Sequence, residues 1–132
     1  MKHLFNIIIA ISILLVAGCA ADRSPRTLTK YFYKAIANGE YDKALECTTM
    51  NEDIDFELYH AIMDKVSTSI EAKGGVDKIE IIDEQISEDG LSAVVAATIT
   101  YVDGSVDKEF CDVIYQDDKW IVDVDIYSKY TP

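Results

Sequence analysis

The stretch LSAVVAATITYVDGSVDKEFCDVIYQDDKW, residues 91–120, decides the fold. Leu91, Ala93, Val95, Ala97, Ile99 and Tyr101 fall on alternate positions, the period of a strand with one buried face. Asp103-Gly104 then signals a tight hairpin, and a two-residue loop there pairs Val102 with Ser105, Tyr101 with Val106 and Ala97 with Phe110. On that register Val106, Phe110 and Ile114 share the face of the odd apolar positions. At Gln116-Asp117-Asp118-Lys119 a two-residue loop sets Trp120, Val122, Val124 and Ile126 on the opposite face. A three-residue loop with Asp118 in the left-handed region aligns them, and the spacing is read that way. The fourth strand then buries its even positions and leaves Ile121, Asp123, Asp125 and Tyr127 on the other face.

Working back from this core, Ile79 and Ile81 alternate in a strand that starts at Val76 and closes near Glu88-Asp89-Gly90. Before Val76 the period becomes helical. Phe56, Tyr59, Met63, Val66 and Ile70 recur at spacings of three and four in a helix from about Asp53, which Gly74-Gly75 ends. Tyr41, Ala44, Leu45 and Thr48 mark a shorter helix. Ahead of it, Ser24-Pro25 starts a helix that carries Leu28, Phe32, Ala35 and Ile36 and stops at Asn38-Gly39. The expected class is α+β, with N-terminal helices packed on a curved four-stranded antiparallel sheet.

The first residues follow different rules. Lys2 and His3 precede a run from Leu4 to Val16 that is apolar except for Asn6 and Ser12. As a helix it would span about 20 Å, against roughly 30 Å of bilayer hydrocarbon, so it reads as a cleaved export signal. Val16-Ala17-Gly18-Cys19 resembles the lipobox of bacterial lipoproteins, with Val16 where leucine is most frequent. The resemblance implies cleavage after Gly18 and a diacylglycerol on the Cys19 sulfur, with acylation of the new amino terminus. Two or more chains anchor firmly where one does not. Residues 1–18 are thus expected as a lipoprotein signal, 19–26 as a lipidated tether and 27–132 as one domain. Ala20, where an aspartate would favour inner-membrane retention, implies the outer membrane in a host that has two.

The chain carries 24 acidic against 12 basic residues, and removing the signal takes away Lys2 and no acid. Such a surface repels phosphate backbones and anionic head groups, which argues against nucleic-acid binding and against charge-driven membrane docking. Cys47 and Cys111 can pair in an oxidising compartment, but spacing does not decide it. His60, the one histidine beyond the signal, has no cysteine or histidine at ligand spacing, and no metal or cofactor is expected.

Tyr31-Phe32-Tyr33-Lys34-Ala35-Ile36, Asn38-Gly39-Glu40-Tyr41-Asp42-Lys43-Ala44-Leu45 and Asp117-Asp118-Lys119-Trp120-Ile121-Val122-Asp123, in this order of elements, resemble the nuclear-transport-factor-two-like (NTF2-like) group of α+β rolls. The resemblance is closest to its small lipoprotein domains. It implies a sheet curled around the helices into a cone whose mouth serves as an enzyme pocket or a binding site. Tyr31, Tyr59 and Tyr101 are candidates to line that mouth, or else amphipathic core residues with wet tips. On the register above Asp112 points inward between Val95 and Val124, where apolar surroundings would raise its pKa and suit acid–base work. The alternative, favoured because a buried aspartate needs a partner and no inward arginine is evident, is a twist or bulge that takes Asp112 to solvent. His60 lies about 100° around the helix from Tyr59 and is expected in solvent. Asp123 and Asp125 are expected on the solvated face.

Without a catalytic set, the leading expectation is a non-enzymatic module, tethered through Cys19, whose cone takes a small ligand or an envelope partner. An isomerase- or hydrolase-like enzyme using Asp112, and a unit that dimerises face to face, stand behind it.

Overall fold

The computed structural model describes residues 23–49 and 55–124. The signal, Cys19, the helix start near Asp53, and Asp125, Ile126 and Tyr127 lie outside the described residues. Among the described residues, three helices precede a sheet of four antiparallel strands in sequence order. They are α1 (Pro25–Ala37), α2 (Tyr41–Glu46), α3 (Phe56–Ala72), β1 (Val76–Ile86), β2 (Ser92–Tyr101), β3 (Val106–Gln116) and β4 (Lys119–Val122).

The helix boundaries follow local chemistry. Ser24 is extended and its hydroxyl accepts the Thr27 amide at 3.3 Å, with Pro25 in the first turn. Asp55 caps α3 in the same way through the Leu58 amide at 3.2 Å. In both cases a side-chain oxygen takes one of the amides that a helix start leaves without a partner. Leu28 and Ala35 are the buried apolar side chains of α1 proper, and Ala44 and Leu45 those of α2.

At the other end of α3, Gly74 and Gly75 turn the chain at φ 84° and 97°. Their carbonyl neighbourhood decides the next hairpin. The Val102 amide donates to the Gly75 carbonyl at 2.9 Å and the Asp103 amide to the Lys73 carbonyl at 3.0 Å. A two-residue hairpin would have used the Val102 amide to close on Ser105. Instead Tyr101 donates to the Ser105 carbonyl at 2.9 Å, Gly104 at φ 90° donates back to the Tyr101 carbonyl, and the loop is Val102-Asp103-Gly104. This is a three-residue loop with its glycine in the left-handed region.

The extra loop residue moves β3 by one position relative to the sequence reading. Ala97 pairs with Glu109, Val95 with Cys111 and Ala93 with Val113. The face that receives Val95 and Ala97 therefore receives Asp107, Glu109, Cys111 and Val113. Val106 and Phe110, expected inside, are exposed, and so is Asp112. The next turn differs as well: Gln116 pairs with Lys119, and Asp117 and Asp118 sit at φ 54° and 63° in a two-residue loop. Aspartate tolerates this backbone better than most side chains. Val122 faces Val113 and is buried, as expected of the even positions of β4, because the two one-residue displacements cancel.

The packed core occupies one end of the sheet's inner face, where Leu28 meets Cys47, Val95, Cys111, Val113 and Val122. After α2 the chain runs alongside β4. Thr48 forms a parallel bridge with Val122, whose amide donates to the Cys47 carbonyl at 2.7 Å while its carbonyl accepts from Thr49 at 2.9 Å. Among the described residues no helix is long and apolar enough to cross a membrane.

Candidate functional site

At the other end of the inner face a cavity of about 610 Å³ separates α3 from the sheet. Tyr59, Ile62, Met63, Val66 and Ile70 line it from one side of α3, which is what the helical spacing of these residues requires. Phe32, Tyr33 and Ile36 enter from α1, and Ile79, Ile99 and Tyr101 from the sheet. A volume of this size lies within the range of small-molecule sites, which are mostly apolar with a few placed polar groups.

The acidic groups come chiefly from β3. Asp107, Glu109 and Cys111 alternate along the inner face, and β4 pairs with β3 only from Val113 onward, apart from one bond from the Asp123 amide to the Asp112 carbonyl at 2.8 Å. Among the described residues no strand covers β3 between Asp107 and Glu109, and the cavity reaches this edge. Asp112 and Asp123 complete the rim. Asp112 alternates to the outer side of its strand, opposite Val94, with its carboxylate exposed. It therefore borders the cavity without being enclosed by apolar residues. Solvent is what the favoured alternative expected for it; the cause is the longer β2–β3 loop, not a bulge in β3.

The tyrosines divide by role. Tyr101 donates to Asp107 Oδ2 at 3.0 Å, while Lys73 Nζ lies 3.3 Å from the same oxygen and 4.3 Å from the centre of the Tyr101 ring. Burial, with the hydrogen bond to Asp107, pushes its hydroxyl up to about 12. Tyr59 donates to the Tyr41 carbonyl and ties α3 to α2; burial, with the charge of Asp42, pushes it up to about 12. Tyr31 does not line the cavity and instead packs against the core, with the Arg23 guanidinium 3.9 Å over its ring. Tyr33 lies deep in the site beside Cys111 and Glu109. Burial above all, then the charges of Cys111, Glu109 and Asp112, holds its phenol protonated far beyond the usual range. The sequence reading missed Tyr33, Asp107 and Glu109. Tyr33 has the helical spacing to Ile36 that marks the inner face of α1, and the two acids became visible only with the true register of β3.

Cys47 and Cys111 are both buried and belong to the same core cluster. His60 is exposed, with its ring edge-to-face against that of Tyr59 at 6.0 Å between centroids. Among the described residues no group of histidine, cysteine and carboxylate side chains converges as a metal site. On the outer face of the sheet Val94, Val106 and Phe110 are exposed.

A family model described as Domain of unknown function (DUF4878) matches residues 17–123. Among solved structures, the chain is similar to a Campylobacter jejuni protein assigned as an NTF2-like transpeptidase. The TM-score is 0.62 with 20% identity, over 78% of this chain and 100% of that one. At that identity the likeness is one of fold, and it places the helices and open sheet in the NTF2-like architecture. The intermembrane space region of the chloroplast protein ARC6 is also similar, with a TM-score of 0.38 and 14% identity over 77% of this chain and 95% of that chain, too slight to bear on the fold. No curated protein matches.

Proposed function

We propose that this chain, which belongs to the DUF4878 family of domains of unknown function, is a cell-envelope lipoprotein whose NTF2-like cone binds a small ligand without transforming it. The observation that carries the binding reading is the cavity between α3 and the sheet, about 610 Å³ of space that the side chains of Ile62, Met63, Val66 and Ile70 border and do not fill. A binding site of this kind needs apolar area with a few polar groups, and Tyr33 and Glu109 supply them. The reading as a binder and not an enzyme rests on chemistry. Asp112, the residue considered for acid–base work, is exposed at the rim, and the nearest buried hydroxyls, Tyr33 and Tyr101, are held neutral beyond working pH. General acid–base catalysis is most effective with groups that titrate near the operating pH. The anchoring reading rests on Val16-Ala17-Gly18-Cys19, with the acyl chains holding an acidic domain at a membrane that its charge would otherwise avoid.

Native mass spectrometry of the full chain purified from its host tests the first part, with a bound small molecule as the expected result and a bare chain in every preparation as the contrary one. Growth on labelled palmitate tests the second. Label that is retained by the wild type and lost in Cys19→Ser is expected, and an unlabelled wild-type protein would refute the anchor.

The exposed outer face favours a second reading, in which two copies pair sheet to sheet through Val94 and Phe110. Sedimentation of the full chain in detergent, wild type against Phe110→Asp, checks it, a monomer in both ending the idea.

A further inference from the structure

The lining of the cavity is strongly asymmetric in charge. Among the described residues its acidic members are Asp107, Glu109, Asp112 and Asp123, and Lys65 is its one basic member. Asp107 is already neutralised by Lys73 at 3.3 Å. Glu109, Asp112 and Asp123 have no ion-pair partner among the described residues. Glu109 is the deepest of the three: it is half-buried, pairs across the sheet with Ala97, which is wholly buried, and stands close enough to Tyr33 to help keep that phenol protonated. Carboxylates grouped around a low-dielectric recess focus a negative potential into it and raise the local concentration of cations.

The rest of the recess has a different character. Phe32, Ile36, Met63, Val66, Ile70 and Ile79 present carbon. The way Lys73 lies against the Tyr101 ring and the Asp107 carboxylate shows that an ammonium group is accommodated on this wall, by an aromatic face and a carboxylate acting together. A metal ion would find no converging ligand set here, and an anion would meet the rim acids.

We infer that the cone selects a small organic cation, an amine with an apolar body, whose ammonium group pairs with Glu109 near the Tyr33 hydroxyl while its carbon skeleton lies along α3. This rests on the reading of the cone as a ligand site and adds the chemical class of the ligand. The wall supplies what such a molecule lacks in water alone, a desolvated apolar surface and an unneutralised carboxylate at the same place. The open β3 edge leaves Glu109 partly exposed, which lowers the desolvation cost of forming such a pair.

The test uses the full chain in phosphatidylcholine nanodiscs, with empty discs as reference, and fluorine NMR of three matched probes: 4-(4-fluorophenyl)butylamine, 4-(4-fluorophenyl)butan-1-ol and 4-(4-fluorophenyl)butanoate. The amine is expected to bind about tenfold more tightly than the alcohol, and the butanoate least. The preference for the amine should shrink as salt is raised. Glu109→Gln should abolish most of that preference while leaving alcohol binding in place, and Asp112→Asn, at an exposed position, should weaken it in part. Asp118→Asn, on the β3–β4 turn, should change nothing. Equal binding of amine and alcohol, tightest binding of the butanoate, or a preference that survives Glu109→Gln would overturn the inference and leave the cone a site for neutral ligands. Failure of all three probes to bind would overturn it and remove support from the binding reading as well.

Discussion

The Val102 amide donates to the carbonyl of Gly75 at 2.9 Å, joining the tip of the β2–β3 hairpin to the end of α3. The bond takes a donor that a shorter hairpin would have used for itself, and it therefore sets which side of β3 faces inward. The same junction brings Gly74 against the hairpin: a Cβ on Gly74 would stand 3.2 Å from Val102 Cβ.

Gly74→Ala should consequently be more damaging than Gly75→Ala. Both positions have positive φ, but the space beside Gly75 is open. The left-handed backbone costs an L-residue roughly 1–2 kcal/mol, and only Gly74→Ala adds a steric conflict. Thermal unfolding of the two variants is the check, with Gly74→Ala expected to melt at the lower temperature by several degrees. Equal melting points would mean that the hairpin tip is free to move away.

Truncations should separate the packed end of the inner face from the hollow end. Leu28 is 2% exposed within the core cluster, so Leu28→Ala should cost about 2–5 kcal/mol. Met63 borders the cavity and is only half-buried. Met63→Ala enlarges a space that already exists, and denaturant unfolding should show it to cost much less than Leu28→Ala. A similar loss for both would show that α3 is packed on the sheet in solution.

Alkaline pH should destabilise the domain through its buried phenols. Burial raises Tyr33, and Tyr59 and Tyr101 are pushed up to about 12, whereas the phenols of an unfolded chain titrate near ~10. Above that value the unfolded state holds fewer protons than the folded one, so stability falls as pH rises. The contribution is intact below pH ~10 and is lost through about 12. Absorbance of tyrosinate should show part of the eight tyrosines titrating late, with loss of folded signal. On the acid side, serine and backbone donors lower Asp89 and Asp103, whose turns weaken as pH falls through the carboxylate range.

Much of the architecture could be read from local chemistry because local chemistry produced it. Ser24-Pro25, Asn38-Gly39 and Gly74-Gly75 bound helices through caps and left-handed glycines, and the alternation from Ala93 to Tyr101 survives in the buried face of β2. Register was harder, since Asp103-Gly104 is compatible with loops of two or three residues and the choice was made by the carbonyls of Lys73 and Gly75, remote in sequence. One position of error carried Asp112 from the rim to the interior and hid Asp107 and Glu109. The Asp117-Asp118 turn was misjudged for a related reason: two consecutive left-handed aspartates are costly alone and are held by the pairing of Gln116 with Lys119 and Tyr115 with Trp120.

The parallel bridge from Thr48 to Val122 governs the order in which the molecule can be completed. The Thr49 hydroxyl that accepts the Val124 amide is separated from it by 75 residues, so the segment after α2 has no strand partner until synthesis has passed β4. Closing so long a loop is slow and entropically unfavourable until the intervening hairpins shorten it. A nascent chain halted within β3 would hold its early helices ready and their docking strand missing, which makes the last short strand the step that commits the whole to its final form.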